Sequence, residues 1–233
     1  DEDGRAAHRG CLCRGGLQLT LTQEWDKVFP QSDKVTHSKV TFHNRYGITL
    51  AADLYIPQNA SGKLPAIAVC GPFGAVKEQA AGLYAQTLAE RGFLTIAFDP
   101  SFTGESGGEP RYVASPDINT EDFCAAVDYL STREDVDAER IGILGICGWG
   151  GMAPNAAAID TRIKATVTST MYDMCRVNAN GYFDSMDENA RYELRQQLNA
   201  QRTEDYRNGS YALAGGLPDV LPDDAPWFVK DYY

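Results

Sequence analysis

The stretch GILGICGWGGMA, residues 142–153, decides the fold. An apolar run ends at Cys147 and glycines crowd the turn that follows. Two readings compete. From Gly148, GWGGMA fits G-x-G-x-x-A, a turn that sets a dinucleotide pyrophosphate on a helix N-terminus. From Gly145, GICGWGG puts a cysteine where a nucleophile elbow carries its serine, on a sharp strand-to-helix turn.

Chain order separates the two. The dinucleotide fingerprint belongs to the first strand–helix turn of its domain, followed by an acidic residue for the ribose. Asp173 stands at a tolerable distance for that acid, but the glycines follow the fifth strand rather than the first. The elbow has a mechanical basis instead. The nucleophile is held in a strained conformation and the chain folds back tightly, so small neighbours are needed. Gly145, Gly148, Gly150 and Gly151 supply them. A helix starting directly behind Cys147 offers free N–H groups and a positive dipole end, which favour a thiolate and an oxyanion. Trp149 departs from the simplest pattern, which has glycine two residues after the nucleophile. The competing assignment is a buried structural cysteine at a strand end.

Around this turn, strands and helices alternate. SKVTFHNRYGITLAADLYIP reads as two strands joined by a turn at Asn44–Gly47. LPAIAVCG, FLTIAFDP and ERIGILGIC are continuous apolar runs, as buried parallel strands are, and IKATVTST is a sixth strand. KEQAAGLYAQTLAERG reads as a helix with Ala80, Leu83, Tyr84 and Leu88 on one face and Gly92 at its end. In INTEDFCAAVDYLSTRED, Asn119 or Thr120 caps a helix whose inner face is Phe123, Ala126, Val127 and Leu130. Pro154 fits the next helix if it lies in the first turn. This alternation specifies an α/β fold: a doubly wound, mostly parallel sheet with helices on both faces.

The division expected is an irregular N-terminal extension over residues 1–35, a core of strands 1 to 6 over 36–173, and a helical cap over 174–233. The cap holds a long charged helical stretch and a proline-rich end, and its Tyr182, Phe183, Tyr192, Tyr206 and Tyr211 are candidates to line a pocket. Aromatic sets of this kind also arise from helix packing.

The chain has 233 residues, 43% of them hydrophobic, which suffices for the core of one α/β domain. A net charge of −11 opposes binding to nucleic acid or an anionic membrane surface. No apolar run reaches the roughly 18 residues of a membrane-spanning helix. Cys11 and Cys13 are too closely spaced for a zinc motif, and no cofactor or metal is expected. Cys70 and Cys124 read as small buried hydrophobes, and a reducing, cytoplasmic setting is the expectation.

Several segments together resemble the α/β-hydrolase family, in its dienelactone-hydrolase-like branch with a cysteine nucleophile. VCGPFGAVKEQ is similar to the loop after the family's third strand, which supplies an oxyanion N–H. GLYAQTLAERGFLTIAFDPSFTGES resembles the next helix and strand, ending in a D-x-x-x-x-G-x-S turn at Asp99, Gly104 and Ser106. DFCAAVDYLSTREDVDAERIGILGICGWGG resembles the helix, connector, strand and elbow. The resemblance runs from about Val40 to Asp173. It implies Cys147 as nucleophile, with the N–H groups of Gly148 and Phe73 as oxyanion donors and Gly74 as a further candidate. Gly71 stands where many relatives have histidine. Glu78 could reach the thiol, though an acid is favoured there in any case by a helix start. Asp173 is an alternative catalytic acid, or a loop aspartate at the cap entrance.

In this family the order is nucleophile, acid, histidine. The three histidines, His8, His37 and His43, all precede Cys147. The expectation is therefore a chain that stops before the acid and histidine strands, with its sixth strand as a bare edge prone to aggregation. The function expected is hydrolysis of an ester, lactone, thioester or amide of a small-molecule acyl substrate through an acyl-enzyme, inactive as the chain stands. The alternatives are an α/β-hydrolase-fold binding protein without catalysis, and a nucleotide-binding oxidoreductase. Oligomeric state is left open by the sequence.

Overall fold

The computed structural model describes residues 19–214 and Asp223. Cys11, Cys13, His8 and most of the proline-rich end lie outside the described residues. The chain falls into two compact units, Asp1–Met186 and Asp187–Tyr233.

Among the described residues, the first unit carries six strands: β1 (Val35–His43), β2 (Thr49–Pro57), β3 (Leu64–Cys70), β4 (Leu94–Phe98), β5 (Val136–Ile146) and β6 (Ile163–Ser169). They form one sheet in the order β1-β2-β4-β3-β5-β6. β1–β2 and β2–β4 are antiparallel, and β3–β4, β3–β5 and β5–β6 are parallel. The sheet is thus mixed, and its parallel half holds the strand that leads into Cys147. The first hairpin closes as its sequence implies. Gly47 takes φ 77°, and the Asn44 side chain accepts from the N–H groups of Tyr46 and Ile48 at 3.0 Å each.

Helices α1 (Ala80–Ala89), α2 (Pro116–Ser131) and α3 (Gly148–Ile159) cover the sheet. One face packs Leu54, Ala68, Ile96 and Ile143 with Phe123, Val127, Trp149 and Met152 from α2 and α3. The other packs Tyr55, Val69, Ala97, Leu144 and Ile146 with Ala81, Ala85 and Ala89 of α1. The segment before β1 is irregular, yet Lys27 and Phe29 are buried. Gln86 on α1 pins it, accepting from the Ser32 N–H and donating to the Pro30 carbonyl.

Three helix details differ from the sequence reading. Helix α1 buries its small face (Ala81, Gly82, Ala85, Gln86 and Ala89), and Leu83 and Tyr84 are 46% and 39% exposed. A Cβ on Gly82 would lie 2.9 Å from the Phe29 ring, so the close approach needs small residues and turns the large ones outward. Helix α2 begins a turn earlier than expected, at Pro116 after Ser115, because proline suits a first helical position. Asn119 lies inside that helix, accepting from the Ser115 N–H and donating to buried Asp122. Pro154 sits beyond the first turn of α3, where its missing N–H interrupts the helical ladder.

After β6 come α4 (Met174–Asn180) and a short 3-10 turn at Tyr182–Asp184. The second unit contains α5 (Glu188–Asn208), capped by Asp187 and by Gly209 at φ 63°. No residue of α5 is buried. Among the described residues no helix is long and apolar enough to cross a membrane.

Candidate active site

β5 delivers the chain directly into α3 through Cys147, whose φ of 58° and ψ of −120° are a strained conformation for a residue with a side chain. Its N–H donates to the Ser169 carbonyl at 2.9 Å, and its carbonyl accepts from the Gly150 N–H at 3.0 Å. The fold-back is as tight as the glycines imply. A Cβ on Gly145 would lie 2.2 Å from the Trp149 carbonyl oxygen, and one on Gly151 2.5 Å from that of Tyr172. Gly148 and Gly150 lie within the first turn of α3, so these glycines serve close packing of strand, helix and loop.

The loop after β3 approaches this turn. A Cβ on Gly148 would be 3.3 Å from the Phe73 Cβ and 2.6 Å from the Met174 sulfur. The Phe73 ring stacks on Trp149, with centroids 6.0 Å apart and planes 21° apart. Trp149, the departure from the simplest elbow, is buried at 3% exposure, whereas Phe73 is 49% exposed. The Trp149 indole N–H has no hydrogen-bond partner among the described residues. Gly74 turns the loop at φ 78° with open space around it. Gly71 packs under Ala81, where a Cβ would stand 3.3 Å from that methyl.

The other sequence candidates fall in separate places. Asp173 caps α4, accepting from the Arg176 N–H at 3.0 Å, and its Cα is 3.8 Å from where a Cβ on Gly151 would be. Glu78 precedes α1, and its carboxylate takes the Lys77 ammonium and lies 3.7 Å from that of Lys39. His37 donates to or accepts from Asp53 of β2 at 2.7 Å. His37 and His43 both stand on β1, four strand spacings from β5, which is roughly 19 Å. Tyr182, Phe183, Tyr192, Tyr206 and Tyr211 are all exposed.

Lys77, absent from the sequence candidates, organises the loop. It is 1% exposed. Its N–H donates to Asp99 Oδ1 at 2.7 Å, and its Nζ to Asp99 Oδ2 at 2.9 Å and Glu105 Oε2 at 2.7 Å. Burial disfavours its charge, but Asp99, Glu105 and Glu78 outweigh this and hold it protonated above the usual lysine range. Asp99 in turn orders its own turn. It accepts from the Glu105 N–H at 2.9 Å, and its carbonyl accepts from Ser106 Oγ at 2.6 Å. Gly104 must be glycine, since a Cβ there would lie 2.2 Å from Asp99 Oδ2. The signal for Lys77 is a lysine inside an otherwise apolar loop, and only the fold brings it to the acidic turn after β4.

The sheet order, the helices on both faces and the strand–Cys147–helix turn define an α/β-hydrolase fold. The α/β hydrolase GrgF from Penicillium sp. sh18 shares it, with a TM-score of 0.68 at 21% identity over 84% of this chain and 65% of its own. The chain belongs to the X-Pro dipeptidyl-peptidase (S15) family, whose model matches residues 46–213. It is 62% identical to the uncharacterised protein PA2218 of Pseudomonas aeruginosa over 220 residues, 93% of this chain and 59% of that protein. The PA2218 crystal structure matches with a TM-score of 0.90 over 93% of this chain and 68% of the other. A thiohydrolase of Aspergillus aculeatus, aneE, is 33% identical over 59% of this chain and 42% of its own length. The chain thus spans under two thirds of the length of these two curated relatives.

Proposed function

We propose that the protein is an acyl-transfer hydrolase whose nucleophile is the Cys147 thiol and whose substrates are small-molecule esters, lactones or thioesters. The observation that carries this is the strained Cys147 at a strand-to-helix turn, with Gly148 set against the Phe73 loop. Thiolate sulfur would attack the acyl carbon, and the carbonyl pair would move to oxygen. The N–H groups of Gly148 and Phe73 would receive that oxyanion, with the Gly74 N–H as the next donor along. Collapse would expel the leaving group and leave an acyl-thiol for water to resolve. The thioester class is supported by the name of the aneE relative, and an amide bond by the family description.

The proton acceptor is a separate matter. The described histidines, His37 and His43, stand on β1, far from β5. Among the described residues no histidine stands beside Cys147, and Asp173 is the nearby carboxylate to test first as the acid. A second reading rests on the placement of the described histidines on β1: a fold with no histidine beside its thiol among the described residues binds acyl compounds and does not turn them over.

Turnover of acetyl thioesters, p-nitrophenyl esters and a glycyl-prolyl anilide by wild type and Cys147→Ala separates these. Ester or thioester turnover lost in Cys147→Ala supports the proposal. Acyl compound binding without turnover supports the second reading. Turnover that survives Cys147→Ala contradicts the proposal.

A further inference from the structure

We propose that Lys77 is a positioning residue for acyl transfer: its buried ammonium locks the loop bearing the Phe73 N–H to Asp99, and so sets that donor against Cys147. This rests on the assignment of Phe73 as an oxyanion donor.

Lys77 lies four residues after Phe73, in the loop between β3 and α1. Its main chain and its side chain grip the two oxygens of one carboxylate, that of Asp99. Asp99 follows β4, the neighbour of β3, and is 0% exposed. It has no freedom to follow a shifting loop. The Glu105 N–H holds one oxygen, and Gly104 packs against the carboxylate so closely that a Cβ would overlap it. One rigid anion therefore ties the loop after β3 to the turn after β4.

Between Phe73 and Lys77 the loop is braced only locally, by the Ala75 N–H on the Pro72 carbonyl at 3.1 Å and the Val76 N–H on the Gln79 side chain at 3.1 Å, and neither bond reaches another strand. Gly74 has open space around it and Phe73 is half exposed. The Phe73 side rests on the ring stack with Trp149, and the far side rests on Lys77. Burying an ammonium among carboxylates is a poor way to gain stability, because desolvation offsets the attraction. What the arrangement supplies is a fixed geometry. An oxyanion donor acts only if it sits near 3 Å from the developing charge, so a small shift of the loop costs rate.

The chemistry offers a way to read position apart from folding. With p-nitrophenyl acetate, the Cys147 sulfur bonds to the acyl carbon, an oxyanion forms and nitrophenolate leaves. With iodoacetamide, the same sulfur displaces iodide and no oxyanion forms. Both second-order rate constants are measured for wild type, Lys77→Met, Lys77→Arg and Glu105→Gln, with Cys147→Ala as the background from other thiols. The acylation rate of Lys77→Met is expected to fall about tenfold or more, while its alkylation rate stays within about twofold. Lys77→Arg recovers part of the loss, and Glu105→Gln shows a smaller drop in the same ratio. Equal losses in both reactions, or no loss in either, overturn the proposal. If circular dichroism shows Lys77→Met unfolded, Glu105→Gln decides, and an unchanged ratio overturns it. A wild type alkylated but never acylated at Cys147 removes the proposed function itself, and the role of Lys77 with it.

Discussion

Gly148 and Phe73 are held face to face beside Cys147, close enough that a Cβ on Gly148 would stand 3.3 Å from the Phe73 Cβ. A side chain on Gly148 would force the loop after β3 to give by a few tenths of an ångström. Gly148→Ala would push the loop away, and the Met174 thioether at 2.6 Å would have to turn aside as well. A flexible methionine yields cheaply, so we expect a stability loss of only about 1 kcal/mol. Acylation should suffer more, by roughly tenfold, because donor geometry is what the approach sets. Denaturant melts and nitrophenolate release check the two parts.

Cys147 holds φ at 58°, a conformation in which a side chain is strained and glycine is not. Cys147→Gly should therefore raise stability by about 1 kcal/mol while abolishing acylation at this position. A urea midpoint that falls instead would mean that the thiol packs better than the backbone strains.

Acid should act on the buried charge network. Burial pushes the Glu105 carboxyl up, but hydrogen bonds from Lys39 and Lys77 outweigh it and hold the group at about 2. Burial opposes, and Lys27 and Lys39 likewise outweigh it, at Asp26, also held at about 2. A carboxylate held low in the folded state adds stability that is complete above its unfolded value, about 4. That stability is lost as pH falls from there towards about 2. The melting temperature should drop most steeply in this window, and the drop should be shallower in Glu105→Gln.

Strand β6 is the outer strand of the sheet among the described residues, and its Val167 is 54% exposed. It borders an apolar cavity of about 370 Å³ lined by Ile67, Leu88, Phe93 and Leu144. An exposed edge beside apolar surface favours self-association of the 233-residue chain. Val167→Lys should shift the protein towards monomer in light scattering and raise the concentration at which it precipitates.

Local features are legible in the sequence and non-local ones are not. Runs of strand-forming residues between turns mark the six strands of the described residues, and the crowded glycines mark the turn at Cys147, because those constraints act between near neighbours in the chain. Apolarity alone points the wrong face of α1 inward, because it does not say which side meets the sheet. There the close approach of Phe29 to Gly82 selects the small residues. The start of α2 is set by Pro116 rather than by the polar residues after it. The sequence shows Lys77 only as a lysine in an apolar loop; its role is hidden because its partners, Asp99 and Glu105, come from the turn after another strand. A lysine's burial cannot be read before the fold places anions around it.

Whether Cys147 is the acyl acceptor is decided by a map of where acyl groups land. Native protein is treated briefly with a limiting amount of p-nitrophenyl acetate, digested at acid pH, and its cysteine peptides are compared by mass spectrometry. Acetyl is expected on Cys147 well ahead of Cys175, although Cys175 is the more exposed thiol. Acetyl on Cys175 with Cys147 unmodified would refute the assignment of Cys147 as nucleophile.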